Sequence, residues 1–262
     1  MPSRPLVLVT GSARRLGRTI ALDLAAHGWD VAVHYRGSAA EARSAVAELR
    51  ALGARAEAFA ADLADEAQCQ ALLPAVAAAL GPVDAVVNNA AHFEHDALAD
   101  FGHAMMERHW RANTAPAIVL ARALHAQPGE RRGAVVNLLD QKLWNPNPDH
   151  LSYTLSKAGL QMATTLLAMA LAPRIRVNAV APGLTAVSGA MSAPEFEQLH
   201  RLAPLGHSST PADIAHAVRY LLEAPAVTGS FLLVDGGQHL QPMARDIAFL
   251  AADQPVPRTT PT

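Results

Sequence analysis

The 262 residues carry a formal net charge of −2, with 51% hydrophobic and 17% charged side chains. That balance excludes a field able to gather nucleic acid or anionic lipid, and it favours a small polar ligand over a polymer. The single cysteine, Cys69, excludes an internal disulfide framework and fits a reducing compartment, so a cytoplasmic protein is expected.

Met1-Pro2-Ser3-Arg4 passes straight into Leu6 to Val9, an apolar run too short for a signal or a membrane span. The run is continuous and aliphatic, as in a strand buried on both faces of a parallel sheet. It ends in Thr10-Gly11-Ser12-Ala13-Arg14-Arg15-Leu16-Gly17-Arg18, after which Ile20 to His27 reads as a helix closed by Gly28. Gly11 permits a tight turn, Gly17 lets the helix approach the strand, and the free N–H groups of the helix start suit a pyrophosphate. An ordinary tight loop would show the same spacing.

The second strand, 30–35, has no acid at its end. His34, Tyr35, Arg36 and Ser38 stand there, with Arg14 and Arg15 across the first turn. This set suits a ribose 2′-phosphate and favours NADP(H) over NAD(H), the bland alternative being a solvated basic loop. Helix 39–52 and strand 54–60 lead to Asp62 and Leu63, where a carboxylate or backbone group can meet an adenine amino group. Helix 65–79 stops at Gly81-Pro82, and strand 83–87 ends in Asn88-Asn89-Ala90-Ala91, small residues on which a ligand can lie. Strands alternating with helices, without a long linker, predict one doubly wound Rossmann-type α/β domain with a seven-stranded parallel sheet. Its ligand belongs at the carboxyl ends of the strands.

His92, His95, His103 and His109 surround Glu94, but they lack the i, i+4 spacing of a helical zinc site and have no cysteine nearby, so no metal is expected. Phe93, just past a strand end, is either core or the face of a planar-ligand site. Helix 101–126 carries Asn113, and strand 133–139 leads to Asp140, a loop containing Trp144, Pro146 and Pro148, then helix 151–172. Tyr153 and Lys157 lie four apart on one face of that helix, with the ammonium placed to bias the phenol toward losing its proton. With 3 Tyr and 2 Lys in 262 residues, chance supplies about 0.02 such pairs. Strand 174–181 ends at Pro182-Gly183-Leu184-Thr185, and 184–204 reads as a substrate lid with a short helix near 194–201. Helix 211–223, strand 231–234 and Asp235-Gly236-Gly237 complete a domain spanning 1–242, and 243–262, Pro-rich over 253–262, reads as a flexible tail.

Taken together, Thr10-Gly11-x5-Gly17, Asn88-Asn89-Ala90, Asn113, Tyr153-x3-Lys157, Pro182-Gly183 and Asp235-Gly236-Gly237 resemble the short-chain dehydrogenase/reductase family over nearly the whole chain. The glycine turn, the His34-to-Ser38 stretch and above all Asp140, where the family usually has serine, look like the pteridine and dihydromonapterin reductases. The resemblance implies that Tyr153 donates a proton, that Lys157 holds the nicotinamide ribose and lowers the tyrosine's pKa, and that Asn113 holds a water. It places Asp140 beside Tyr153, Phe93 on the pterin, and Arg14 or Arg15 at phosphate. It makes Thr185 line the carboxamide, with Leu16, Pro182 and Gly183 also on the cofactor and Leu184 and Trp144 near substrate. A homotetramer is the family's usual assembly. Ala91, His150 and Gly37 depart from the pteridine reductase pattern, and Arg36 stands ready to replace a missing charge.

An ionised carboxylate at 140 would oppose an alkoxide growing on a ketone, whereas reduction of a C=N bond needs a proton on nitrogen that a Tyr–Asp pair can supply. The favoured expectation is NADPH-dependent reduction of a pterin or dihydrofolate imine. A general NADPH carbonyl reductase is the alternative, open if Asp140 is protonated. A non-catalytic NADP(H) sensor is a third.

Overall fold

The computed structural model describes residues 4–187, 191–247 and 249. Strand β1 (Leu6–Val9) shows why the strands read as unbroken aliphatic runs, since it is covered on both faces. Val7 and Val9 enter a core with Ile20 and Leu24 of α1 (Arg15–Ala26) and Ile214, Val218 and Leu221 of α8 (Pro211–Glu223). Leu6 and Leu8 enter the opposite core with Leu72, Leu73 and Val76 of α3 (Glu66–Leu80) and Leu120 and Leu124 of α5 (Ala115–His125). Each fully buried aliphatic side chain contributes about 1.5–3 kcal/mol, so the sheet is held from both sides.

Beside β1 run β2 (Asp30–Tyr35) and β3 (Ala56–Ala60) on one flank, and β4 (Ala85–Asn88), β5 (Gly133–Leu138), β6 (Ile175–Pro182) and β7 (Phe231–Val234) on the other. The order is β3-β2-β1-β4-β5-β6-β7 with every pair parallel, which is the expected seven-stranded doubly wound sheet. The chain reverses its direction of winding between β1 and β4, and a crevice opens there at the strands' carboxyl ends. Helices α2 (Ala39–Ala51) and α6 (Leu151–Leu171) complete the covering layers.

Three sequence readings need correction. Helix α1 begins at Arg15 rather than Ile20, because the close approach of Gly17 to Gly11 draws a weakly patterned polar stretch into the helix. The helix expected over 101–126 is broken into α4 (His103–His109), a π-helical turn (Trp110–Thr114) and α5. Such a turn inserts a residue into the ladder and re-aims its neighbours, here Asn113. Lastly, the stretch from 243 onward is not a free tail throughout. In its described part Lys142 Nζ pairs with Asp246 at 2.9 Å and Arg245 Nε pairs with Asp149 at 2.9 Å, which ties it to the loop before α6. Within the expected lid, α7 (Ala193–His200) is closed by a Ser192–Glu195 capping box, and 188–190 lie outside the described residues.

Candidate active site

The glycine turn is fixed by sterics. Gly11 has φ +64°, and a Cβ on Gly17 would lie 2.4 Å from the Gly11 carbonyl oxygen, so only glycine permits the close approach of α1 to the turn. The turn is also tied to β4. Thr10 Oγ1 accepts from the backbone N–H groups of Asn89 and Ala90, each at 2.9 Å, and Asn89 Nδ2 donates to the carbonyls of Thr10 and Gly11. The Asn89 amide therefore shapes the cradle, and Ala90 supplies the small surface expected beside a ligand. Leu16 packs in part against the core. Arg14 sits at the N-cap of α1 without a side-chain cap, and the first turn holds no acid, so the helix start presents bare N–H groups and a positive dipole end.

The basic set at the end of β2 divides. His34 is 2% exposed, its Nδ1 accepts from Gly11 N at 3.0 Å, and its Nε2 lies 3.0 Å from the Ala61 carbonyl oxygen. Burial lowers its pKa, which keeps the ring neutral. His34 is thus a strut between the glycine turn and β3, and both ring nitrogens are spent, so it cannot serve a 2′-phosphate as the sequence suggested. Arg36 is exposed, and Tyr35 and Ser38 are half-buried beside it. Arg15 carries φ +52° and donates to the Val187 carbonyl at 2.7 Å, linking the glycine turn to the stretch after β6. On the adenine side Asp62 Oδ1 accepts from Ala64 N and Leu63 is buried, so both help form the loop after β3.

Helix α6 carries the acid. Its N-cap, His150, has φ +55° and makes no capping bond. Asp96, fully buried, caps instead from a distant loop, accepting from Ser152 N at 2.9 Å and Ser152 Oγ at 2.5 Å. One turn in, Tyr153 Oη donates to Asp140 Oδ2 at 2.9 Å, and Asp140 Oδ1 accepts from Lys142 N at 2.9 Å. Lys157 Nζ donates to the Leu138 carbonyl at 2.7 Å and lies 5.8 Å from the Tyr153 ring centroid.

Burial pushes Asp140 up, burial pushes Lys157 down to about 8, and burial together with the nearby Asp140 charge pushes Tyr153 well up. The expected lowering of the tyrosine by Lys157 is therefore outweighed in the ligand-free protein. Asp140, directly on the phenol, opposes its ionisation more than the ammonium on the ring face assists it. The phenol is held as a donor.

Around this centre, Asn113 Oδ1 accepts from His92 N at 2.6 Å, and its Nδ2 donates to the His92 carbonyl at 3.0 Å and to Ser156 Oγ at 2.9 Å. The π-turn thus fastens the loop after β4 to α6. Phe93 is 51% exposed, meets the Tyr153 ring edge-on at 4.7 Å and stacks on His150 at 4.4 Å. Its exposure excludes a core position. Trp144 is correspondingly recast: it packs toward Phe231 within a small apolar cluster with Leu139 and Leu160. Thr185 Oγ1 donates to the Gly183 carbonyl and meets Ser209 Oγ at 2.7 Å, while Leu184 N donates to Gln238, so Pro182 to Thr185 form an anchored ledge at the end of β6. His92 pairs with Glu94 at 3.0 Å, and Glu94 N donates to His109, so these rings shape the loop that carries Phe93.

Sequence reasoning missed Lys142, Asp149 and Asp246. The signal for the first was present, because Lys142 is the only lysine besides Lys157 and both are 3% exposed.

A family model described as enoyl-(acyl carrier protein) reductase matches residues 11–239. The NADP complex of FolM alternative dihydrofolate reductase 1 from Brucella canis is 38% identical with a TM-score of 0.85, covering 92% of this chain and 96% of that one. The 3-oxoacyl-acyl-carrier-protein reductase FabG of Staphylococcus aureus is 34% identical over 243 residues, 89% of this chain and 97% of the relative. LugOII, a promiscuous reductase that catalyses keto-reduction at C1 during lugdunomycin biosynthesis, is 30% identical with a TM-score of 0.82, covering 90% of this chain and 98% of that one.

Proposed function

Because the chain belongs to the short-chain dehydrogenase/reductase family, an oxidoreductase family, we propose that it is an NADPH-dependent reductase of the C=N bond of a pterin or dihydrofolate-type substrate. The observation that carries the reading is the 2.9 Å hydrogen bond from Tyr153 to a buried carboxylate, Asp140.

The residues present fit the cofactor. The uncapped α1 N-terminus and the Gly11–Gly17 cradle suit a pyrophosphate, and Arg36 with Arg14 suits a 2′-phosphate. Lys157 spends one donor on Leu138 and has two more N–H groups for ribose hydroxyls. When bound, NADPH supplies the hydride.

The chain's own residues handle the proton. Tyr153 holds it on Oη with its pKa raised, and Asp140 at hydrogen-bond distance can exchange it, so the pair delivers a proton to nitrogen and is refilled without building negative charge on a substrate oxygen. Phe93 offers an open aromatic face beside Tyr153 for a planar ring, and Thr185 and Leu184 are held by hydrogen bonds on the ledge at the end of β6. The Brucella relative, named as a dihydrofolate reductase, supports this choice.

A second reading, a carbonyl reductase, is favoured by the burial that raises the Asp140 pKa, since a protonated carboxyl donates to a ketone oxygen, and by the ketoacyl-reducing relatives. Following NADPH absorbance with dihydrobiopterin, dihydromonapterin, dihydrofolate and simple ketones separates the two. Turnover confined to ketones would sink the pterin reading, and no turnover despite tight NADPH binding would leave the sensor. No helix among the described residues is long and apolar enough to cross a membrane.

A further inference from the structure

The loop between Asp140 and Tyr153 is stapled to the chain's C-terminal stretch at five places. Asn145 Nδ2 donates to the Gln241 carbonyl at 2.7 Å, and Met243 N donates to Asn145 Oδ1 at 3.3 Å. Lys142 Nζ bridges the Asp149 carbonyl at 2.7 Å and Asp246 Oδ2 at 2.9 Å. Asp149 accepts from Arg245 Nε and from Asp246 N, the latter at 2.7 Å. Lys142, Asn145 and Asp149 are each buried, so these contacts are shielded from water and define a geometry that exposed pairs would not.

The same segment then reaches the aromatic platform. Phe249 lies parallel to His150 with centroids 5.8 Å apart, and His150 lies parallel to Phe93 at 4.4 Å. His95 meets both His150 and Phe249 edge-on. His150 Nδ1 is buried without a hydrogen-bond partner among the described residues, and its backbone is held at φ +55°. The two flat faces of the His150 ring are taken up by Phe93 and Phe249. It acts as the middle layer of a stack whose outer layer, Phe93, is open.

We propose that residues 241–247 together with Phe249 are a brace for the substrate site, in which the Lys142–Asp246 ion pair and Phe249 are positioning residues that hold the Asp140–Tyr153 loop and back the Phe93 platform. The inference rests on the planar-substrate reading above. It assigns the segment to the binding of a flat bicyclic ring and leaves the cofactor's pyrophosphate to the glycine turn and its ribose to Lys157.

Steady-state kinetics of single variants tests it. Asp246→Asn leaves the Lys142 charge buried without its partner, and Phe249→Leu removes the outer ring. Each should raise KM for the dihydropterin about tenfold, Phe249→Leu with kcat changed less than about twofold, and neither should shift the dissociation constant of NADPH. The double variant Lys142→Met/Asp246→Leu replaces the ion pair by an apolar pair and should recover most of the lost KM. An unchanged KM, a kcat and NADPH affinity that fall together with it, or a double variant as impaired as the single overturns the brace.

If the wild-type enzyme reduces no pterin or folate, the functional reading fails, and hydrogen exchange still decides the brace. Asp246→Asn should speed exchange across 141–151 while β1 stays protected, and equal protection in both proteins overturns it.

Discussion

Tyr153 Oη donates a 2.9 Å hydrogen bond to Asp140 Oδ2, so the phenol and the carboxyl share one proton path with no group between them. Replacing Asp140 by serine keeps a hydrogen-bond partner and removes the charge. Asp140→Ser should lower kcat/KM for a dihydropterin by about 10²-fold, the scale of a lost proton-transfer partner, and raise turnover of simple ketones. Equal rates with both substrates in both proteins would reduce the aspartate to scaffolding.

Lys157 gives the pH dependence. Burial brings its pKa down to about 8, and the Asp140 charge acts the other way, holding it up. The ammonium is lost as pH rises, so kcat/KM, which reports the free enzyme, should fall above about pH 8. In Asp140→Asn the support is gone, and that falling limb should move to lower pH. A limb that stays in place or moves up contradicts the coupling.

The same shift makes a stability prediction. The folded pKa of about 8 lies below the ordinary lysine value of 10.5, so the buried ammonium costs stability at neutral pH, and the cost is relieved as pH rises from about 8 to 10.5. Lys157→Met, similar in length and uncharged, should therefore melt no lower than wild type at pH 7 in the absence of cofactor while losing nearly all turnover. A large drop in melting temperature would show that the bond to Leu138 outweighs the desolvation of the charge.

The sheet was legible because two-sided burial leaves a direct trace: Leu6 to Val9 and Ala85 to Val87 are aliphatic without a break. The Tyr153–Lys157 pair was legible because helical spacing fixes which side chains share a face. His34 was misread because sequence shows that a residue is basic and near a strand end, while its inward direction is set by pairing of β2 with β3. The brace was hidden for a related reason. The prolines Pro255, Pro257 and Pro261 suggest an unstructured tail, yet what holds Asp246 is a lysine 104 positions earlier, a separation that no local pattern encodes.

Arg36 is an exposed cation where an acid would select NAD, and the proposed 2′-phosphate contact can be tested there. Arg36→Ala should raise KM for NADPH about tenfold and leave KM for NADH nearly unchanged, as expected for the loss of one charge-assisted contact to phosphate. Equal losses with both cofactors would place Arg36 away from the 2′-phosphate and shift that role to Arg14.

Assembly is the last prediction, and it follows from a face that folding leaves uncovered. Leu155, Met162, Leu166 and Met169 of α6 are 47%, 60%, 56% and 74% exposed, and their spacings of seven, four and three place them on one side of the helix. Trp110, 43% exposed on the π-turn packed against Gly159, extends the patch. A contiguous apolar stripe of this kind marks a protein contact, and two copies of one helix can cover each other about a two-fold axis, so a second copy of the chain is the partner that requires nothing else. This pairing accounts for two copies, and the expected tetramer needs a second contact between pairs, so light scattering should give the mass of four 27.6 kDa subunits, and Met162→Asp combined with Leu166→Asp should lower it to two or one. A wild-type mass near one subunit would rule the tetramer out, and an unchanged mass in the double variant would move the interface to another face.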